Sequence, residues 1–284
     1  MDIYLVEAIV NGVLLGGVLA LLALGLNLIF GVIDVVWIAY ADVVMCGMYA
    51  LYWLYVGLGW PLWLACVIAI VGLAGFGALI HLLIIEPILK TAPINQLLAT
   101  GGLLFFLQSF ATLLFGTDFR NIGVRLPIIE IGDVYISYAR LLAFAIALIG
   151  AIALYVFLRR TFIGTAIRAI AQDRDIIGLM GADQRRIYLI TSMIGGALAG
   201  LAACLLALQY DVHPFIGNTF GPLIFMICVL GGLGNMIGGF VAAFVISQII
   251  AIGGYYSITE LSYVLAFTLF IVLMFLRPRG ILSR

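Results

Sequence analysis

RRTFIGTAIRAIAQDRDIIGLMGADQRR, Arg159 to Arg186, is the longest charged interruption in a strongly apolar chain. It holds six of the thirteen basic residues and three of the thirteen acids, with long apolar runs on either side. So much charge cannot sit in hydrocarbon, so the stretch belongs at a membrane face. Its excess of arginine assigns that face to the cytoplasm by the positive-inside rule. Within it, Ile163, Ile167 and Ile170 recur at i, i+4 and i+7, with Phe162 and Ala166 beside them, while Arg168, Gln172 and Asp173 fall on other faces. That spacing predicts a short amphipathic helix. A second apolar piece, Ile176 to Met180, ends at Gly181, a suitable helix C-cap. Spacing alone leaves two readings open: a juxtamembrane helix on anionic lipid, or a helix that docks a cytoplasmic partner.

The composition places the rest of the chain. Of 284 residues, 66% are hydrophobic and 9% charged, against about 25% charged in a soluble domain. The expected fold is therefore an all-α polytopic membrane protein, a single transmembrane domain over residues 1–284. Net charge is zero, which gives no footprint for nucleic acid. Cys46, Cys66, Cys204 and Cys228 lie inside apolar runs at spacings that match no zinc pattern, so they read as small hydrophobes. The N-terminus has Asp2 and Glu7 but no basic region, unlike a cleaved signal peptide.

A span needs roughly 20 apolar residues. Candidate segments lie near 8–30, 42–58, 61–85, 95–115, 139–158, 187–209, 213–230, 237–252 and 259–276. The count is about eight to nine, the seventh and eighth being short, glycine-interrupted and candidates for half-helices. Nine crossings put the N-terminus outside and the C-terminus in the cytoplasm. Arg277, Arg279 and Arg284 in the tail, and Lys90 in the turn EPILKTAP, agree with that parity. A seventh segment that re-entered without crossing would place the basic tail outside. The segment 117–138 is then extracytoplasmic. Within it IIEI and VYIS flank Gly132-Asp133, a two-residue hairpin signal, which either caps the bundle or helps receive a binding protein.

Individual residues carry finer signals. Gly12, Gly16, Ala20, Ala23 and Asn27 share one face of the first helix and predict close packing, with Asn27 able to bond across the contact. Gly196 and Gly200, with Gly195 and Ala199, predict a second such face. Asp34 and Asp42 sit in or beside apolar sequence, where acids face a protein interior or a water-filled path, or cap a helix at the membrane face. Gln96 with Thr100, and Gln108 with Thr112, each share a face and either line a polar path or bond between helices. Asp211, His213, Pro214, Gly217, Gly221 and Pro222, then Gly231, Gly232, Gly234 and Asn235, break the helical pattern. Broken helices at membrane depth build substrate paths in transporters, or use glycine only for packing.

These residues resemble the permeases of branched-chain amino-acid ABC importers. The loop matches that family's Thr-x-x-Gly-x-x-x-Arg-Ala run at Thr161, Gly164, Arg168, Ala169, Ala171, Gln172, Asp173 and Gly181. VLGGLGNMIGG resembles its Val-x-Gly-Gly-x-Gly signature, and RPRG near the end its Arg-Pro-x-Gly. Near residue 34 the family reads Gly-Val-x-Gly-Val-Ile-Asn-Phe-Ala-His-Gly-Glu. Here Gly31 and Ala39 are kept, but Asp34, Trp37, Tyr40 and Ala41 replace Gly, Asn, His and Gly. The resemblance implies a cytoplasmic coupling loop at 159–186 with Gly164, Arg168, Ala169, Asp173 and Gly181 as its key residues. On this reading the translocation path is expected to touch Asn27, Asp34, Trp37, Tyr40, Asp42, Gln96, Thr100, Gly231, Gly232 and Gly234. It also implies two ATP-binding partner subunits that hold ATP and Mg, a second homologous permease and an extracytoplasmic binding protein. The substrate would be an amino acid, amide or small carboxylate, and the site a bacterial or archaeal inner membrane, in contact with its lipid.

The residues themselves add an exclusion. Lys90, the only lysine, is not preceded by the glycines of a GxxxxGK[ST] loop, no HExxH occurs, and no nucleophile set has spacing support. Neither catalysis nor a cofactor of the chain's own is expected. Two rival readings remain: a gradient-driven transporter using Asp34, Asp42 or Asp211, and a membrane scaffold that transports nothing.

Overall fold

The computed structural model describes residues 3–124, 127–131, 134–172, 183–256, 258–277 and 280. Among them are ten helices: α1 (Ile3–Ile33), α2 (Tyr40–Tyr52), α3 (Leu62–Ile88), α4 (Pro93–Phe115), α5 (Tyr138–Arg160), α6 (Phe162–Gln172), α7 (Gln184–Ala207), α8 (Ile216–Gly231), α9 (Met236–Tyr256) and α10 (Thr259–Leu276). Six of these, α1, α3, α4, α5, α7 and α9, are long and apolar enough to cross a membrane, and α8 and α10 are shorter apolar helices. α2 continues through a π-helical turn at Trp53–Gly57, and α3 contains another at His81–Ile85. The expected hairpin is present, β1 (Ile128–Ile131) pairing antiparallel with β2 (Val134–Ser137), Ile131 opposite Val134. Gly132 and Asp133 lie outside the described residues.

These helices are apolar all round because both protein and lipid are apolar partners. Burial tells the two apart. In α1, 83% of the apolar window is buried, against 28% in α4 and 22% in α5. α1 is therefore the central staff, while α4 turns Phe105, Phe106, Leu113 and Leu114 outward. One end of the bundle is charged: Arg185 pairs with Glu86, close to Lys90, and Arg159 and Arg160 end α5 beside α6.

The chain runs one sequence of elements twice. A long helix (α1, α7) ends in an extended turn (34–39, 208–215), a helix that starts inside the bundle (α2, α8), and two further helices (α3 and α4, α9 and α10). The copies are inverted. Gly25 packs near Leu198 and Ile29 against Gly195, so α1 and α7 run antiparallel. The seams correspond too: Gly12 and Gly16 of α1 meet Ala251 and Ser247 of α9, while Gly196 and Gly200 of α7 meet Gly77 and Leu73 of α3. Both turns carry acid-valine pairs, Asp34-Val35 and Asp211-Val212, with each valine fully buried. Asp34 is the one non-glycine with positive φ among the described residues, at 61°, a left-handed conformation that aspartate tolerates.

α9 is a continuous helix of 21 residues, not a half-helix. Its glycines serve close approach: Gly238 lies against the backbone of Gly231, and Gly239 against the Asn27 amide.

The seams give a direct test. A Cβ at Gly196 would collide with the Leu73 carbonyl, whereas one at Gly72 would meet nothing within 4 Å. Gly196→Val should cost about 1–3 kcal/mol, the usual range for overpacking, and lower the unfolding temperature in detergent. Gly72→Ala should leave that temperature unchanged or raise it.

Candidate functional site

The two inverted halves meet where α2 and α8 begin. α1 ends at Ile33, and the chain then folds back so that Tyr40 reaches the level of Gly25, eight residues earlier. At 1.5 Å per residue that is about 12 Å inside the bundle. The Tyr40 hydroxyl fills the space left by Gly25 and donates to the Gly195 carbonyl at 3.2 Å, tying α1, α2 and α7 together. Tyr40 is thus a packing strut, although its ring also borders the cavity below. Ala39 and Phe215 precede α2 and α8, and among the described residues neither helix has a side-chain N-cap.

Asp42, in the first turn of α2, is buried beside the first turn of α8. A Cβ on Gly217 would collide with its carboxylate. Two helix N-termini, each carrying partial positive charge, therefore share one acid. Gln108 of α4 completes the group: its Nε2 donates to Asp42 Oδ1 at 2.9 Å and to Asn218 Oδ1 at 2.8 Å. The bridge spans α2, α4 and α8, so it joins both halves. It opens on a cavity of about 460 Å³, walled by Leu26, Trp37, Ile38, Leu104, Pro222 and Phe225. The Trp37 ring is buried, and its Nε1 has no hydrogen-bond partner among the described residues. Such a junction of broken helices between inverted repeats is where transporters place substrate.

The bundle end opposite α6 is closed by a strap. After α4, Arg120 and Val212 exchange backbone hydrogen bonds of 2.9 and 2.7 Å. The Arg120 guanidinium donates to the Phe115 carbonyl at 2.6 Å and lies 5.5 Å from the Tyr52 ring centre. Asn121 donates to Asp211 at 2.7 Å, and Phe119 packs on His213. The strap again ties the first half to the turn of the second. Composition gave no hint of it, because its partners lie about ninety residues apart in the chain.

Of the residues expected on the path, Trp37, Tyr40 and Asp42 border the cavity, as do Gly217, Gly221 and Pro222 among the helix-breaking residues. The others lie elsewhere. Asp34 is exposed at the end of α1, its N–H donating to the Phe30 carbonyl. Asn27 accepts from the Gly234 N–H at 3.1 Å, bracing α1 against the glycine-rich turn. Gly231 packs on Gly238, Gly232 on Gly280 and Gly234 on Gly31, with φ of 95° and 81° at Gly232 and Gly234. Gln96 closes the α3–α4 turn by donating to the carbonyls of Ile88, Leu89 and Thr91. Thr100 donates to the Val36 carbonyl at 3.0 Å. Sequence reasoning had put Gln108 on a polar face without its partners, and had used Asn218 not at all. A partner 66 or 110 residues away leaves no mark in local periodicity.

The amphipathic helix α6 is present, with its apolar face turned inward. Gly164, Ile167 and Ile170 are buried on the bundle, while Phe162, Thr165, Arg168 and Gln172 face out, Phe162 at 84% exposure. Ala169 is half-buried. Thr161 caps the helix, accepting the Gly164 N–H at 3.0 Å. A Cβ on Gly164 would strike the backbone of Phe157 and Leu158, so the turn from α5 needs glycine there. Asp173 and Gly181 lie outside the described residues.

A family model described as branched-chain amino acid transport system / permease component matches residues 8–274. The chain belongs to that permease family. It is 30% identical over 99% of its length to the high-affinity branched-chain amino acid transport system permease protein LivH of Escherichia coli (strain K12), covering 96% of that protein. It is likewise 30% identical, over 98% of its length and 95% of the relative's, to the corresponding permease protein BraD of Pseudomonas aeruginosa. A probable LivH permease of Methanocaldococcus jannaschii matches at 32% over 34% of this chain and 30% of that protein. No solved structure matches. This permease is accordingly a multi-pass membrane protein and an importer subunit whose role is transport, not catalysis.

The polar bridge predicts a graded result. Gln108→Leu leaves Asp42 without its donor and should cost about 1–3 kcal/mol, read as a lower unfolding temperature of the purified protein. Gln108→Glu sets two carboxylates together and should cost more. Asn218→Ala leaves the Gln108–Asp42 bond in place and should cost least.

Proposed function

We propose that this chain forms half of the translocation path of an ATP-driven importer for small apolar amino acids. The named relatives are branched-chain amino acid permeases, which supports that substrate class. The observation that carries the mechanism is α6: one face is clamped to the bundle and the other is an exposed Phe162–Arg168 stripe. In this reading the loop 159–186 lies in the cytoplasm and α6 rests on an ATP-binding subunit. The charged end of the bundle, with Lys90, Arg159, Arg160, Arg185 and Arg186, supports that orientation through the positive-inside rule. The N-terminus is then outside and segment 117–138 extracytoplasmic, facing a binding protein.

Two ATP-binding subunits hold ATP and Mg, and a second homologous permease completes the path. Residues 1–284 act as one permease domain. ATP binding moves α6. Gly164, in contact with the end of α5, passes that motion to the bundle, and Asp173 and Gly181 continue the coupling segment beyond α6. The strap at Arg120 opens on one side as the charged end closes on the other, a rigid-body exchange between two packed states. The cavity beside Asp42 receives the substrate between them.

Purification in mild detergent tests the reading: it expects ATP-binding subunits and a second permease to come with this chain, and a chain recovered alone contradicts it. Phe162→Ala with Arg168→Glu should cut ATP-driven leucine uptake about tenfold or more, as loss of a central interface anchor does. The unfolding temperature should stay unchanged, because both side chains are exposed. Lys90→Cys and Arg186→Cys should react with an impermeant thiol reagent in inverted vesicles only.

A further inference from the structure

The cavity is charged in one sense only. Among the described residues, Asp42 is the one acid on its wall, and no Lys, Arg or His lines it. Around that acid the wall is aliphatic and aromatic, with Leu26, Ile38, Leu104 and Phe225 among its residues. A carboxylate in such surroundings is costly unless a cation or several donors meet it. Gln108 supplies a neutral donor to Oδ1, and its Nε2 is shared with Asn218. Gly217 keeps the carboxylate against α8 by leaving out a side chain there. The volume of about 460 Å³ is ample for a molecule the size of an amino acid.

We propose that Asp42 is a selectivity residue that binds the ammonium group of the substrate, with the aliphatic body held against Leu26, Ile38, Leu104 and Phe225. The site therefore prefers an apolar primary amine or amino acid over an anion or alcohol of the same shape. This rests on the reading of the cavity as the translocation path. It adds a step of recognition within the membrane, after delivery by any binding protein. Gln108 and Asn218 act as positioning residues, fixing the carboxylate toward the cavity.

Trp37 on the cavity wall supplies the reporter. The three other tryptophans, Trp53, Trp60 and Trp63, are exposed and can be replaced by Phe. The purified complex carrying those three changes is titrated with leucine, 3-methylbutylamine, 3-methylbutanol and 4-methylpentanoate, and Trp37 emission is followed. The proposal expects the amine and leucine to bind about tenfold or more tightly than the alcohol and the carboxylate. Asp42→Asn should remove that preference and Asp42→Glu should keep most of it, each variant being checked for an intact complex by size-exclusion chromatography. Equal binding of the carboxylate or alcohol, an unchanged preference in Asp42→Asn, or emission that no ligand moves would each overturn it. The ligand series on the unmodified Asp42 site decides the matter even where a variant fails to fold. A complex that takes up leucine with ATP yet shows no amine preference sinks this site and leaves the importer reading standing. An amine preference in a chain that associates with no ATPase upholds the site and sinks the importer reading.

Discussion

Two helices begin inside an apolar bundle, and their first turns need partners that hydrocarbon cannot give. This constraint shapes the molecule. The first turns of α2 and α8 lie side by side, Ala41 by Gly221 and the carboxylate of Asp42 against Gly217. Gln108 holds that carboxylate from a third helix. Backbone groups freed at membrane depth must face protein or water, and here they face a protein interior with a cavity beside it. The long helices around them, α1 against α9 and α3 against α7, are packed through glycine so that this central arrangement is enclosed.

The inverted repeat makes the arrangement mechanically useful. Each closely packed pair takes one helix from each half, α1 with α9 and α3 with α7, and each half contributes one helix that begins in the interior. Besides those seams, the halves meet through the Arg120 strap at one end, the Asp42 bridge in the middle and the Gly31–Gly234 contact towards the other. The strap's bonds are few and local, whereas the glycine seams are extensive. Movement of one half against the other therefore costs least at the strap and bridge and most along the seams. α6, attached to α5 through the turn at Thr161–Gly164, stands where a push from outside the membrane reaches the bundle.

Much of this was legible in the sequence. The stripe from Gly12 to Asn27 does pack on α9, the Gly196–Gly200 face does pack on α3, and IIEI pairs with VYIS. Those signals are local and periodic. What was not legible depends on partners far along the chain. The two halves share geometry but few side chains, and the Asp34-Val35 and Asp211-Val212 pairs are its faint sequence trace. The glycine-rich run at 231–234 suggested a path and instead forms a tight turn packed on Gly31, Gly238 and Gly280. Gln96 and Thr100 share a helix face, yet each spends its hydrogen bonds on nearby backbone carbonyls. The apolar side of α6 was visible as a pattern, but whether it faced a partner or its own bundle was a tertiary fact.

The central claim is that the cavity at the junction of the inverted halves is a path whose access changes with the state of the ATPases. Ile38 and Phe225 line it and are 40% and 41% exposed. The measurement that tests this most directly is the rate of thiol modification of Ile38→Cys and Phe225→Cys in the reconstituted complex, with the four native cysteines replaced. The account predicts that both rates change on trapping ATP and fall when leucine is present. Rates that are the same in every nucleotide state, and indifferent to leucine, would contradict it.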